Sequence, residues 1–165
     1  MNTNPELSPE INHSFLREAI ALARAGAAAG TGGPFGALIV FDGRIVGRGQ
    51  NRVTSTNDPT AHAEVVAIRE ACASLGRFHL TGATLYTSCE PCPMCLAAAY
   101  WAHVARIVYA CTRDDAAAIG FDDAFLYREL TAPSAARRIP QVPLLREEGV
   151  TVFRDWAGNP GRIPY

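Results

Sequence analysis

His62 and Glu64 stand two residues apart, and Cys92 and Cys95 stand three apart. Imidazole and thiolate are zinc ligands, and two cysteines spaced i, i+3 on one helical turn face the same way, so both can close on a single tetrahedral ion. His62 completes three protein ligands, which leaves a fourth position open to water or hydroxide, the mark of a catalytic rather than a structural Zn²⁺. Two thiolates cancel the dication's charge, so the metal is only a modest acidifier of that water and a nearby base is needed. Glu64 fits: it cannot easily bind the same ion, but it can reach the water and move its proton. Each half alone is a weak signal. An acidic residue suits any first helical turn, and Cys-x-x-Cys also serves redox chemistry.

A closed structural zinc site is the competing arrangement, with Cys89 as a fourth thiolate in a non-enzymatic interaction domain. It leaves Glu64 without a purpose and asks the side chain of Cys89, at the end of a predicted strand, to face the metal. Cys72 and Cys111 lie in apolar helix and strand contexts and read as core. His13, His79 and His103 lack partners at ligand spacing. The Gly32-Gly33-Pro34-Phe35-Gly36 loop follows a helix and precedes a strand, the reverse of a phosphate-binding loop, and lacks the Gly-Lys-Ser/Thr ending.

Positioning these residues falls to an alternation of short elements. Ser8-Pro9 predicts a helix start, and Ile11, Phe15, Ala19, Leu22, Ala23 and Gly26 recur on one face, ending near Gly30. Residues 36–41 predict a strand, Asp42-Gly43 a hairpin turn, and residues 44–49 the returning strand. A helix over 60–75 and a buried strand over 83–87 follow. A helix over 94–102 and a fully buried strand over 105–110 repeat the pair. Such alternation predicts a three-layer α/β/α domain, a mixed sheet with helices on both faces. Further on, a short helix over 122–130, a strand near 141–145 and a last helix around 152–157 are expected.

The chain has 165 residues, 48% hydrophobic and 19% charged, enough for one domain over residues 1–165 with a single core. Fifteen Lys and Arg against sixteen Asp and Glu give a net charge of -1, which offers no field to attract a nucleic-acid backbone. A small-molecule substrate fits better, with no nucleic-acid or membrane partner. The first ten residues carry no secretion signal, no apolar run spans a bilayer, and three of five cysteines crowd into residues 89–95, so a cytoplasmic metal protein is expected.

The stretches Asn57-Asp58-Pro59-Thr60-Ala61-His62-Ala63-Glu64 and Thr87-Ser88-Cys89-Glu90-Pro91-Cys92-Pro93-Met94-Cys95 resemble the cytidine and deoxycytidylate deaminase superfamily, whose signature is His-x-Glu with Pro-Cys-x-x-Cys. Gly32 to Ala37, Gly49-Gln50-Asn51, Tyr100-Trp101-Ala102, Gly120-Phe121-Asp122-Asp123 with Phe125 and Tyr127, and a terminal tyrosine further resemble its bacterial guanine deaminase branch. The resemblance implies hydrolysis of guanine to xanthine and ammonia, with one zinc per subunit on His62, Cys92 and Cys95. It implies that Glu64 transfers protons, Asn51 hydrogen-bonds the purine, Phe35 stacks on it, and Asp123 sits at the pocket edge as a polar or proton-transfer group. It also implies a homodimer through the helix of Trp101. The tail, about 146–165, would exchange between subunits so that Tyr165 closes the partner's site. The stretches 138–143 and 161–165 depart from that branch's pattern. Guanosine, cytosine or an aminotriazine would use the same zinc apparatus. Deamination of tRNA adenosine is disfavoured by the net charge and by the tail Asp155-Trp156-Ala157-Gly158.

Overall fold

Ser8 caps the first helix, its hydroxyl accepting the Ile11 amide at 3.4 Å, and Pro9 occupies the first turn of α1 (Pro9–Ala28). The computed structural model describes residues 8–164, and the chain divides into two compact units, Met1–Asp123 and Ala124–Tyr165. In the first, β1 (Gly36–Phe41) and β2 (Arg44–Gln50) form the expected hairpin, with Asp42 and Gly43 both left-handed at φ 49° and 72°. A short helix, α2 (Val53–Thr56), leads to α3 (Ala63–Leu75). Then come β3 (Thr84–Cys89), α4 (Pro93–Trp101), β4 (Arg106–Cys111) and α5 (Arg113–Ala118). The sheet order is β2-β1-β3-β4, antiparallel across the first two pairings and parallel between β3 and β4, which α4 connects.

Side chains alternate between two cores, as period-two geometry requires of a sheet covered on both faces. Ala37, Ile39 and Leu85 meet Ala63, Ala67, Ala71 and Ala99 of α3 and α4. Leu38, Val40 and Tyr86 meet Ala19, Phe15 and Leu16 of α1. The helix α3 lies so close to β2 that a Cβ on Gly49 would overlap the Ala63 carbonyl. This approach fixes where α3 begins relative to the sheet.

Several expectations shift. The helix expected from residue 60 begins at Ala63, because Asp58 Oδ1 accepts the Thr60 amide at 2.8 Å and its hydroxyl at 2.7 Å, turning the chain first. The strand expected to be fully buried, β4, is an outer strand with Arg106, Tyr109, Ala110 and Cys111 exposed. Cys111, read as core, is therefore exposed, and Cys72 is half-buried. The sequence reading missed α2 and α5. Residues 141–145 form no strand: Pro140 and Pro143 lack the amide a ladder needs.

The second unit holds α6 (Ala124–Thr131), a 3-10 turn at Ser134–Ala136, and α7 (Arg146–Gly158), which starts six residues earlier than 152. Arg137 gathers the Ala132 carbonyl at 3.2 Å and Gln141 Oε1 at 3.2 Å. None of its described residues is buried, and Val142, Leu144, Leu145, Phe153 and Trp156 are exposed. No helix among the described residues is long and apolar enough to cross a membrane.

Candidate metal centre and active site

His62 is the N-cap of α3, and Cys92 is the N-cap of α4. Both have extended backbones and neither side chain caps its own helix, so each is free to project beyond the helix start. Cys95 follows one turn into α4 and is fully buried. His62 Nδ1 lies 3.6 Å from Cys92 Sγ and 3.5 Å from Cys95 Sγ, and the three donor atoms all fall within 4.8 Å of one another. Zn–S and Zn–N bonds of about 2.3 and 2.0–2.1 Å at a tetrahedral angle separate sulfur from nitrogen by about 3.6 Å. Both sulfur–nitrogen distances already match the edge of a zinc tetrahedron.

Electrostatics agree. Donation from Cys95 and from the His62 ring holds the Cys92 thiol down at about 4, against the opposing effect of burial. Cys95 is driven the other way by donating to Cys92 and by burial, and His62 is raised chiefly by its bond to Cys92. A dication bound among them would favour the thiolate at both sulfurs. The α4 N-terminus favours thiolates further.

Glu64, in the first turn of α3, is buried, with its carboxyl raised chiefly by that burial and then by the negative charge of Cys92. Asn51 is only 5% exposed, and its Oδ1 accepts the Gly33 and Val53 amides, each at 3.2 Å. Both lone pairs of that oxygen are used, so the amide's remaining chemistry is donation from Nδ2. The main-chain N–H of Asn51 donates to the Phe35 carbonyl at 3.0 Å, tying the two residues named for substrate contact. The Phe35 ring meets Phe121 edge-on, centroids 4.9 Å apart at 88°. Asp123 is half-buried, and its carboxyl is raised by burial and then by the charge of Cys92.

Cys89, the fourth-ligand candidate of a closed site, is outside the donor cluster: its thiol points at the Thr112 carbonyl, 3.4 Å away, and burial pushes it up to about 11. The closed structural site is not formed. Trp101, at the end of α4, is 66% exposed. Tyr165 lies outside the described residues. The sequence reading passed over Ser88, whose hydroxyl accepts the Gly36 amide at 3.0 Å, and Glu90, whose Oε2 accepts the Arg113 amide at 3.1 Å. Thr112-x-x-Asp115 was a legible capping-box pattern for the helix that begins at Arg113.

Residues 9–111 match the family described as the cytidine and deoxycytidylate deaminase zinc-binding region, and the chain belongs to that family. Within it, the chain is similar to a guanine deaminase from Bacillus subtilis, 53% identical over 156 residues, 94% of this chain and 100% of the relative. The crystal structure of guanine deaminase from Bacillus subtilis superimposes with a TM-score of 0.90 at 50% identity, covering 93% of this chain and 98% of that one. A guanine deaminase from Nitrosomonas europaea gives a TM-score of 0.65 at 33% identity, covering 90% of this chain and 84% of that one. A tRNA-specific adenosine deaminase from Agrobacterium fabrum is 50% identical over 76 residues, 46% of this chain and 50% of the relative.

Proposed function

We propose that the protein hydrolyses guanine to xanthine and ammonia at a single zinc centre. The observation that carries the reading is the juxtaposition of a zinc-spaced His62–Cys92–Cys95 trio with the buried carboxyl of Glu64, in a chain similar to guanine deaminase over nearly all its length. Zinc, which His62, Cys92 and Cys95 would hold, would supply a Lewis acid that lowers the pKa of the attacking water. Glu64 accepts the water's proton, and its raised proton affinity suits it to hold that proton for return to the substrate. The oxygen adds to the C2 carbon of guanine, Glu64 passes the proton to N3, and the C2–N2 bond breaks as the leaving amine takes a proton while the new C2 hydroxyl gives up its own to become the carbonyl, restoring the acid that protonated the amine. Asp123, raised by burial and by the nearby sulfur charge, is suited to supply the amine's proton. Asn51, its oxygen occupied, turns N–H donors to an acceptor on the purine edge. Phe35, steadied by Phe121, provides an aromatic wall for the base.

We extend this domain over residues 1–165 and assign it to a cytoplasmic homodimer. Tail exchange is supported by the exposed Val152, Phe153, Trp156 and Ile163 of the tail, apolar side chains that a second copy would cover. Tyr165 would then meet the partner's purine. Ammonia release from zinc-loaded protein across guanine, guanosine, cytosine, an aminotriazine and tRNA tests the substrate. Guanine turnover that vanishes in Glu64→Ala supports the reading, whereas activity on another substrate with silence on guanine overturns it.

A further inference from the structure

We propose that Glu90 is a positioning residue for deamination, acting through the main chain of Arg113 to hold the segment that carries Asp123. The proposal rests on the proton-transfer role assigned to Asp123 above. Three bonds join two residues just before the zinc ligand Cys92 to three residues at the β4–α5 junction. The Glu90 amide donates to the Cys111 carbonyl at 2.8 Å, the Arg113 amide donates to Glu90 Oε2 at 3.1 Å, and the Cys89 thiol faces the Thr112 carbonyl. Glu90 does not belong to the metal donor cluster. Its carboxylate instead takes the first amide of α5, a charge-assisted bond at a helix start.

From that point the chain has little freedom before Asp123. Thr112 and Asp115 close a capping box on the first turn of α5. At the other end, the Gly120 amide returns to the Ala117 carbonyl at 3.0 Å and the Phe121 amide to the Ala116 carbonyl at 3.0 Å. The Phe121 ring then abuts Phe35. The segment is pinned at its start by Glu90 and at its end by Phe35, and Asp123 follows two residues later. The loop that delivers the metal ligand thereby also sets the place of the second proton-transfer group.

The test compares kcat, KM and zinc content for Glu90→Ala, Glu90→Gln, Asp123→Asn and the double variant Glu90→Ala/Asp123→Asn with guanine. Displacing the segment should lower kcat about tenfold or more, with zinc content and KM little changed. Glu90→Gln, which keeps an acceptor oxygen, should recover most of that loss. In the double variant the Glu90 change should cost nothing beyond Asp123→Asn alone. An equal loss in both backgrounds, a loss that tracks zinc content, or failure of glutamine to rescue overturns the proposal, as does full activity of Glu90→Ala beside an impaired Asp123→Asn. An unimpaired Asp123→Asn instead removes the Asp123 assignment on which the proposal rests. Should Glu90→Ala not fold, Glu90→Asp, which withdraws the acceptor by one methylene, carries the same comparison.

Discussion

His62 and Cys92 occupy the same position, the N-cap, on two different helices, with Nδ1 and Sγ 3.6 Å apart. The two helix starts are thereby brought onto one point, and a metal there joins α3 to α4. Cys92→Ser and His62→Ala should each lose zinc in a metal assay and lose activity with it. Cys89→Ser should keep full zinc, because that thiol faces a carbonyl of the β4–α5 junction. Metal loss in Cys89→Ser would restore the four-ligand arrangement.

Substitution of Glu64 separates its proposed proton transfer from its effect on stability. Its folded carboxyl is raised above the ordinary glutamate value of 4.5 by burial, so the native state holds its proton to higher pH than the unfolded chain does. Unfolding stability of the metal-free protein should therefore fall as pH rises from the ordinary glutamate range toward the raised folded value. Glu64→Gln removes that ionisation. The metal-free variant should match the parent at acid pH and exceed it in thermal midpoint at neutral pH. The zinc-loaded variant should lose about 10²-fold or more in kcat while retaining metal. A midpoint difference that does not change with pH would count against the assignment of burial as the cause.

Substitution can divide the structural bonds of Asn51 from the purine contact proposed for it. Asn51→Ala strands the Gly33 and Val53 amides, at a cost of about 1–3 kcal/mol in stability, and removes the donors as well. Asn51→Asp keeps acceptors for both amides but cannot donate when ionised. The aspartate variant should stay folded in a denaturant titration, yet raise KM for guanine by about tenfold, the equivalent of one lost hydrogen bond. An unchanged KM would remove Asn51 from the substrate.

Gly49→Ala should weaken the fold and the metal together. The added methyl meets the Ala63 carbonyl, next to the ligand His62, so α3 must move away from β2. A loss of about 1–3 kcal/mol is expected for such overpacking, together with weaker zinc retention against a chelator. A destabilised variant with parental zinc affinity would show that the α3 start is not set by this contact.

The His62–Cys92–Cys95 cluster was legible because residue type and the spacing of Cys92 and Cys95 along one turn mark a metal pair, with His62 at the start of the preceding long helix. The hairpin was legible for the same reason, since Asp42-Gly43 names its own backbone conformation. What escaped depended on neighbours distant in sequence. Whether β4 is buried on all sides or lies at the edge follows from sheet order, which its Ile107-Val108 run does not encode. Glu90 reads as a surface acid until the fold brings Arg113 to it across 23 positions. The strand expected at 141–145 failed on proline chemistry that was present in the sequence and outweighed there by apolar content.

Main-chain groups, more than side chains, clasp this site. Asn51 rests on two amides, Cys89 on a carbonyl, Ser88 on the Gly36 amide, and Glu90 on the Arg113 amide. Peptide groups are the same whatever residue bears them, so, Gly33 and the capping residue Thr112 aside, the identities at Val53 or Arg113 can drift without dismantling the reaction centre. The aromatic wall of Phe35 and Phe121 has no such insurance, since each ring holds the other by shape alone. A lineage or a laboratory selection exploring new amino-heterocycles would therefore find its freedom at that wall, while the hydrolytic machinery is inherited unchanged.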